Sequence, residues 1–138
     1  MVPSALSNLE QGRIQFEKRL PDVQLAVLFG SRVKGKATSK SDWDLAVLPS
    51  PGAYQGLQIF SLQADIGEIL NLSFDDIDLV DLRYCSPLLG FAIACEGKLL
   101  YERQPATFHR FQVKAFKRYA DTAKFRRLHR VYLGLEDI

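Results

Sequence analysis

VQLAVLFGSRVKGKATSKSDWDLAVLP, residues 23–49, holds two apolar runs separated by a polar stretch, and its reading decides the fold. Val23 to Phe29 is a β-branched and apolar run that ends at Gly30, as a buried strand does. Asp42 to Pro49 is a second such run, closed by its proline. The intervening SRVKGKATSKS is too polar and too rich in Gly, Ser and Lys to be core, so it predicts a helical turn followed by a loop. So short a connection between two strands predicts that part of the sheet is antiparallel.

On either side of this pair the hydrophobic period changes to that of helices. Leu6, Leu9, Phe16 and Leu20 fall close to one face of a helix over residues 4–20 that Pro21 stops. Ile59, Leu62, Ile66 and Ile69 form one stripe of an amphipathic helix over 54–70. DDIDLVDL, residues 75–82, predicts a third strand, and KLLYE, 98–102, a short fourth. Between them Ser86 and Pro87 form a helix start, N-cap followed by first-turn proline, and Gly97 a stop. From Pro105 onward Phe108, Phe111, Ala115 and Tyr119 recur at helical spacing, in one long helix or two. Strands separated by helices predict an α/β (α+β) domain, a small mixed sheet with helices packed on it.

The 138 residues fit a single domain, 1–138, with a basic helical segment from about 105 and no second domain for a large substrate. No stretch approaches the roughly 20 apolar residues of a membrane span, and the start MVPSALSNLEQGR lacks a leader's apolar run. A cytoplasmic, membrane-free protein is the expectation. There Cys85 and Cys95, which lack metal-ligand spacing, read as packed thiols. The net charge of +2 conceals an asymmetry: residues 103–130 carry nine Lys and Arg against one acid, Asp121, while the rest is acidic. Such a tail suits an anionic partner surface or is simply a solvated helix face.

The chemistry concentrates between Gly30 and Asp44. Strand side chains alternate, so Asp42, Asp44 and Ala46 share one face while Trp43, Leu45 and Val47 share the other. In the third strand the same rule groups Asp76, Asp78 and Val80, leaving Ile77, Leu79 and Asp81 opposite. If the strands are neighbours, a third carboxylate joins the pair; Asp78 is preferred to Asp76 because it lies deeper in the apolar run. Two carboxylates ~4 Å apart repel by about 4 kcal/mol at an effective dielectric of 20, so a cation has to compensate. Oxygen donors without His or Cys favour Mg²⁺ or Mn²⁺, in a two-metal arrangement suited to in-line phosphoryl transfer. The plain alternative for a bare Asp-x-Asp is a pair of surface residues on an edge strand. Gly30 and Ser31, which combine close backbone approach with a hydroxyl at a helical turn, point instead to a phosphate, as do Arg32, Lys34 and Lys36 beyond them.

Gly-Ser, a ten-residue spacer, Asp-x-Asp and a later Asp within an apolar strand resemble the DNA polymerase β-like nucleotidyltransferase superfamily. The short length, GSRVKG, SDWDLAV, IDLVDL, EGKLLYER and DTAKFRR are similar to the minimal nucleotidyltransferase (MNT) antitoxins paired with HEPN-type ribonuclease toxins. The resemblance implies the polymerase β-like fold and a Mg²⁺-dependent transfer of AMP from ATP to a tyrosine hydroxyl of the toxin. It implies that Gly30, Ser31, Arg32 and Lys34 surround the nucleotide phosphates and that Asp42, Asp44 and Asp78 are catalytic and bind the metals. Nucleic acid is not the expected substrate. Two rivals are an antitoxin that neutralises by binding alone and a small-molecule nucleotidyltransferase of the antibiotic-modifying type.

Beyond Ala123 the helical phase changes. A continuing helix would carry Arg126 and Arg130 onto the face of Phe108 and Tyr119 and send Phe125, Leu128 and Tyr132 to the opposite side. Either the helix breaks there or its last turns expose a second apolar stripe. With Arg126 and Arg127 at its rim, that stripe is the expected partner-binding surface. Burial of the stripe against the chain's own body is the alternative.

Overall fold

A computed structural model describes residues 9–35 and 42–136, with side chains from residue 12. The expected helix start at residue 4, Leu6, the Leu9 side chain and Lys36 lie outside the described residues. The order is α1 (Leu9–Arg19), β1 (Val23–Phe29), β2 (Trp43–Pro49), α2 (Gln58–Leu70), β3 (Ile77–Asp81), α3 (Pro87–Glu96), β4 (Lys98–Glu102), α4 (Thr107–Asp121) and α5 (Ala123–Tyr132). The strands form one mixed sheet in the order β3-β2-β1-β4. β1 runs antiparallel to β2 and to β4, and β3 lies parallel to β2, which the crossover through α2 permits.

Both faces of the sheet are covered. On one, Phe16 and Leu20 together with Leu62, Ile66 and Leu70 of α2 pack on Ala26, Leu28, Trp43, Leu45, Val47 and Ile77. On the other, Leu25, Val27, Ala46, Leu82, Cys85 and Ile93 form a second core flanked by Val80, Phe108 and Phe111. Double coverage explains why β1 reads as a continuous apolar run. A register shift between Val23 and Leu25 breaks its simple alternation. Each fully buried Leu or Ile contributes about 1.5–3 kcal/mol.

Local chemistry sets several boundaries. The Ser86 hydroxyl accepts the Leu89 amide at 3.1 Å, with Pro87 opening α3. α2 begins at Gln58 rather than 54, because Tyr54 (φ 52°) and Gly56 (φ 57°) occupy left-handed turn conformations. β3 begins at Ile77, not 75, since Phe74–Asp76 forms a 3₁₀ turn. Asp76 therefore sits ahead of the strand. Cys85 is buried as expected, but Cys95 is exposed on the last turn of α3, so it is not a packed thiol.

The basic tail is two helices. The break falls at Thr122, whose hydroxyl donates to Tyr119 O at 2.7 Å and accepts from Arg126 Nε at 3.0 Å. Phe108, Phe111, Ala115 and Tyr119 turn toward the body, with Phe91 stacked on Tyr119 at 4.1 Å. No residue of α5 is buried. Among the described residues no helix is long and apolar enough to cross a membrane.

Candidate active site

The end of β1 and the starts of β2 and β3 meet at one edge of the α3/α4 face. In the ladder Phe29 is opposite Asp44, and Asp44 is opposite Asp78 of the parallel neighbour. Adjacent strands lie ~4.8 Å apart, so parallel in-register pairing sets these two carboxylates side by side on one face. Asp42, exposed, leads into β2. Asp44 is half-buried, and its pKa is raised first by burial and then by the charges of Asp78 and Asp42. One carboxylate thus feels the other two.

Gly30 closes the site from β1. Its φ is +80°, and a Cβ there would collide with Asp44 Oδ2 and stand 2.9 Å from Asp44 Cγ. Glycine is needed here for its backbone conformation and for the room it leaves the carboxylate. Gly30–Arg32 forms a 3₁₀ turn in which Gly30 O accepts the amides of Val33 and Lys34, both at 3.2 Å. Ser31 is half-buried in that turn.

The flanking cations divide. Arg32 places its guanidinium 4.0 Å from the centre of the Trp43 ring, a side chain packed in the opposite core. Lys34 Nζ pairs with Glu96 Oε2 at 3.0 Å, on the last residue of α3. Glu96, 62 positions from Lys34, stands in the sequence only as the first residue of EGKLLYER, and nothing there points to this pairing. Among the described residues no group of three His, Cys, Asp or Glu side chains is placed to hold a metal ion by itself. The neighbouring pair Asp44 and Asp78 offers oxygen donors of the kind that hold Mg²⁺, which takes one or two carboxylates together with substrate phosphates.

At the far end of the chain Phe125, Leu128 and Tyr132 are 72%, 55% and 87% exposed, so the stripe faces outward instead of folding back. Arg126 does not join it. Its guanidinium lies 3.8 Å from the Tyr119 ring centre and donates to Tyr119 O at 3.1 Å, fastening α5 to α4. Arg127, exposed, pairs with Glu136 at 3.6 Å.

This geometry can be set beside known proteins. The family model described as Polymerase beta, Nucleotidyltransferase matches residues 13–106, a span that includes Gly30, Asp42, Asp44 and Asp78. The protein adenylyltransferase MntA of Aphanizomenon flos-aquae is 34% identical over 113 residues, covering 78% of this chain and 75% of the relative. MntA of Shewanella oneidensis is 34% identical over 85 residues, 62% of this chain and 58% of the relative. Among solved structures, a toxin–antitoxin crystallised with AMP-PNP matches with a TM-score of 0.71 at 27% identity, over 91% of this chain and 98% of that one. A complex of tri-AMPylated Shewanella oneidensis HEPN toxin with MNT antitoxin matches with a TM-score of 0.66 at 25% identity, over 93% and 98%.

Proposed function

The chain belongs to the polymerase beta nucleotidyltransferase family, and from that premise we propose that it is an adenylyltransferase antitoxin that modifies a HEPN-type ribonuclease toxin. The reaction transfers AMP from ATP to a tyrosine hydroxyl of that toxin, releases pyrophosphate and silences the ribonuclease. The observation that carries this reading is the pairing of Asp44 with Asp78 across two parallel strands, with Asp42 adjacent and Gly30 pressed against the Asp44 carboxylate. MntA relatives named as protein adenylyltransferases, and a matched complex whose toxin is tri-AMPylated, support the choice of AMP and of a protein acceptor.

In the reaction the tyrosine hydroxyl releases its proton to solvent, its oxygen attacks the α-phosphorus to form a P–O bond to AMP, and the bond to the β,γ-pyrophosphate breaks. Asp42, Asp44 and Asp78 would hold Mg²⁺, which supplies charge neutralisation at the phosphates and lowers the pKa of the attacking hydroxyl. Asp78 lies on the side of the acceptor, where its carboxylate orients the hydroxyl for in-line attack. Gly30 and Ser31 form the turn against which the triphosphate rests, and Lys34 can swing from Glu96 to the leaving phosphates. Phe125, Leu128 and Tyr132, with Arg127 beside them, dock the toxin: an exposed apolar stripe bordered by cations suits a partner surface. Arg126 serves that surface by holding α5 in place.

The test is mass spectrometry of the cognate toxin after incubation with the chain, ATP and Mg²⁺. The wild type adds whole AMP units, and Asp42→Ala and Asp44→Ala add none while their melting temperatures hold or rise slightly. Asp78→Asn costs far more activity than Asp76→Asn, which alters a residue ahead of the strand. Full modification by both Ala variants would end the metal-site reading. The outward stripe also favours neutralisation by binding alone. A metal-site variant that binds the toxin yet fails to neutralise it rejects that second reading.

A further inference from the structure

Four residues further along β2 from Asp44, and four beyond Asp78 past the end of β3, the same face of the sheet opens into a different cavity. It is a half-open cleft between α3 and α4 of about 270 Å³. At the ~3.3 Å rise of a strand its floor begins roughly 13 Å from the carboxylates. The floor and walls are apolar: Leu48, Leu82, Pro87, Phe111 and Ala115, with the buried Cys85 beneath.

The rim is cationic. Arg110, Lys114 and Arg118 recur every four residues along α4 and all line the cavity. Like charges at this spacing destabilise a helix. Among the described residues none of the three has an acidic partner, and no acid lines the cavity. Two of them are instead fixed by neutral acceptors. Arg118 donates to Cys85 O at 2.9 Å, and Arg110 donates to Thr107 Oγ1 at 3.1 Å and to Pro105 O at 3.4 Å. Their remaining donors and the Lys114 ammonium are available at the mouth of an apolar hole.

We propose that this cavity is a binding site for a small amphipathic anion, an aryl or branched-alkyl carboxylate or phosphate. The apolar body enters between α3 and α4, and the anionic head is held by Lys114 with Arg110 and Arg118. The volume sets the size: a dry cavity of 150 Å³ accepts benzene, so the space here takes about a fused bicycle with a short acidic chain. Burial of the body supplies affinity, and the three cations select charge. The site does not depend on the transferase reading.

The experiment uses the full-length chain and indole-3-propionate as probe, with tryptamine as the same ring bearing the opposite charge. Titration calorimetry is combined with amide chemical-shift mapping. Indole-3-propionate should saturate at one site and shift the amides of Gly90, Thr107 and Lys114, and tryptamine should bind at least tenfold more weakly. Lys114→Glu and Arg110→Glu each alter an exposed side chain, so the wild-type melt should persist while the dissociation constant rises at least tenfold. ATP with Mg²⁺ should leave the probe bound. Equal binding of tryptamine, unchanged affinity in both charge reversals, no saturation, or displacement of the probe by ATP would each overturn the proposal; the last would make the cavity part of the nucleotide site.

Discussion

Replacing Gly30 with alanine separates the two duties assigned to that residue. Its φ of +80° charges any L-residue about 1–2 kcal/mol for left-handed backbone. Unfolding entropy of about 2.1 cal/mol/K per residue gives this 138-residue chain a shift of about 3.5 °C per kcal/mol, so Tm should fall by about 3–7 °C. The second effect is local. The new methyl would collide with Asp44 Oδ2 and stand 2.9 Å from its Cγ, so the carboxylate must turn out of its place opposite Asp78. A displacement of ~1 Å at a reacting centre costs about 10²-fold in rate, and AMP transfer should fall by at least that much. Gly52→Ala is the control: its φ is +82°, and an added Cβ there meets no atom within 4 Å. It should lose the same 3–7 °C and keep its activity, both followed by calorimetry and by AMP incorporation into the toxin. If Gly30→Ala retains a third of wild-type transfer, or if Gly52→Ala loses as much as Gly30→Ala, the carboxylate contact is not what glycine protects.

Arg83 binds Asp81 at 2.7 Å and the carbonyls of Ala53, Ser50 and Tyr54 at 2.7, 3.3 and 3.3 Å, with both charged side chains largely buried. Arg83→Ala strands the Asp81 carboxylate and should destabilise by about 3 kcal/mol, lowering Tm by about 10 °C; a loss below 1 kcal/mol would mean that solvent replaces the clamp. The raised pKa of Asp44 fixes a pH dependence. Because the folded carboxyl holds its proton to higher pH than the unfolded one, its contribution is fully present below the ordinary 3.8 and is lost as pH rises through the folded value. Asp44→Asn should therefore gain stability relative to wild type between acid and neutral pH in urea titrations, and a constant difference would contradict the crowding of the three carboxylates. Deleting residues 124–138 removes a helix without buried residues, so it should weaken toxin capture and modification while sparing ATP affinity. A truncated chain that modifies the toxin at the wild-type rate shows that the stripe is not the docking surface.

Period and turn chemistry were enough to place most of this molecule. Alternation from Asp42 to Val47 assigned Trp43, Leu45 and Val47 to one core and Ala46 to the other, and the Ser86–Pro87 start was legible because a cap is a contact over three residues. Where local chemistry was subtle, boundaries slipped: left-handed Tyr54 shortened α2, and a 3₁₀ turn took Asp76 out of β3. The outward α5 stripe could be stated only as one of two outcomes, since helical phase gives a direction but not what lies in that direction.

Contacts between distant residues were decided by the fold as a whole. The sequence put Asp44 and Asp78 on like faces of two strands, but only the parallel pairing through the α2 crossover made them neighbours. Arg32 and Lys34 stand two residues apart in one basic run, yet the fold stacks the first on Trp43 and pairs the second with Glu96. The Arg110, Lys114 and Arg118 spacing was present in the sequence as an ordinary charged face, and it became the rim of a cavity when α4 packed across α3 and the end of β2. Within a few residues, sterics and hydrogen bonding fix the backbone by themselves. Across tens of residues, which groups meet is set by loop closure and by how complete elements bury their apolar faces, and no short window of sequence contains that information.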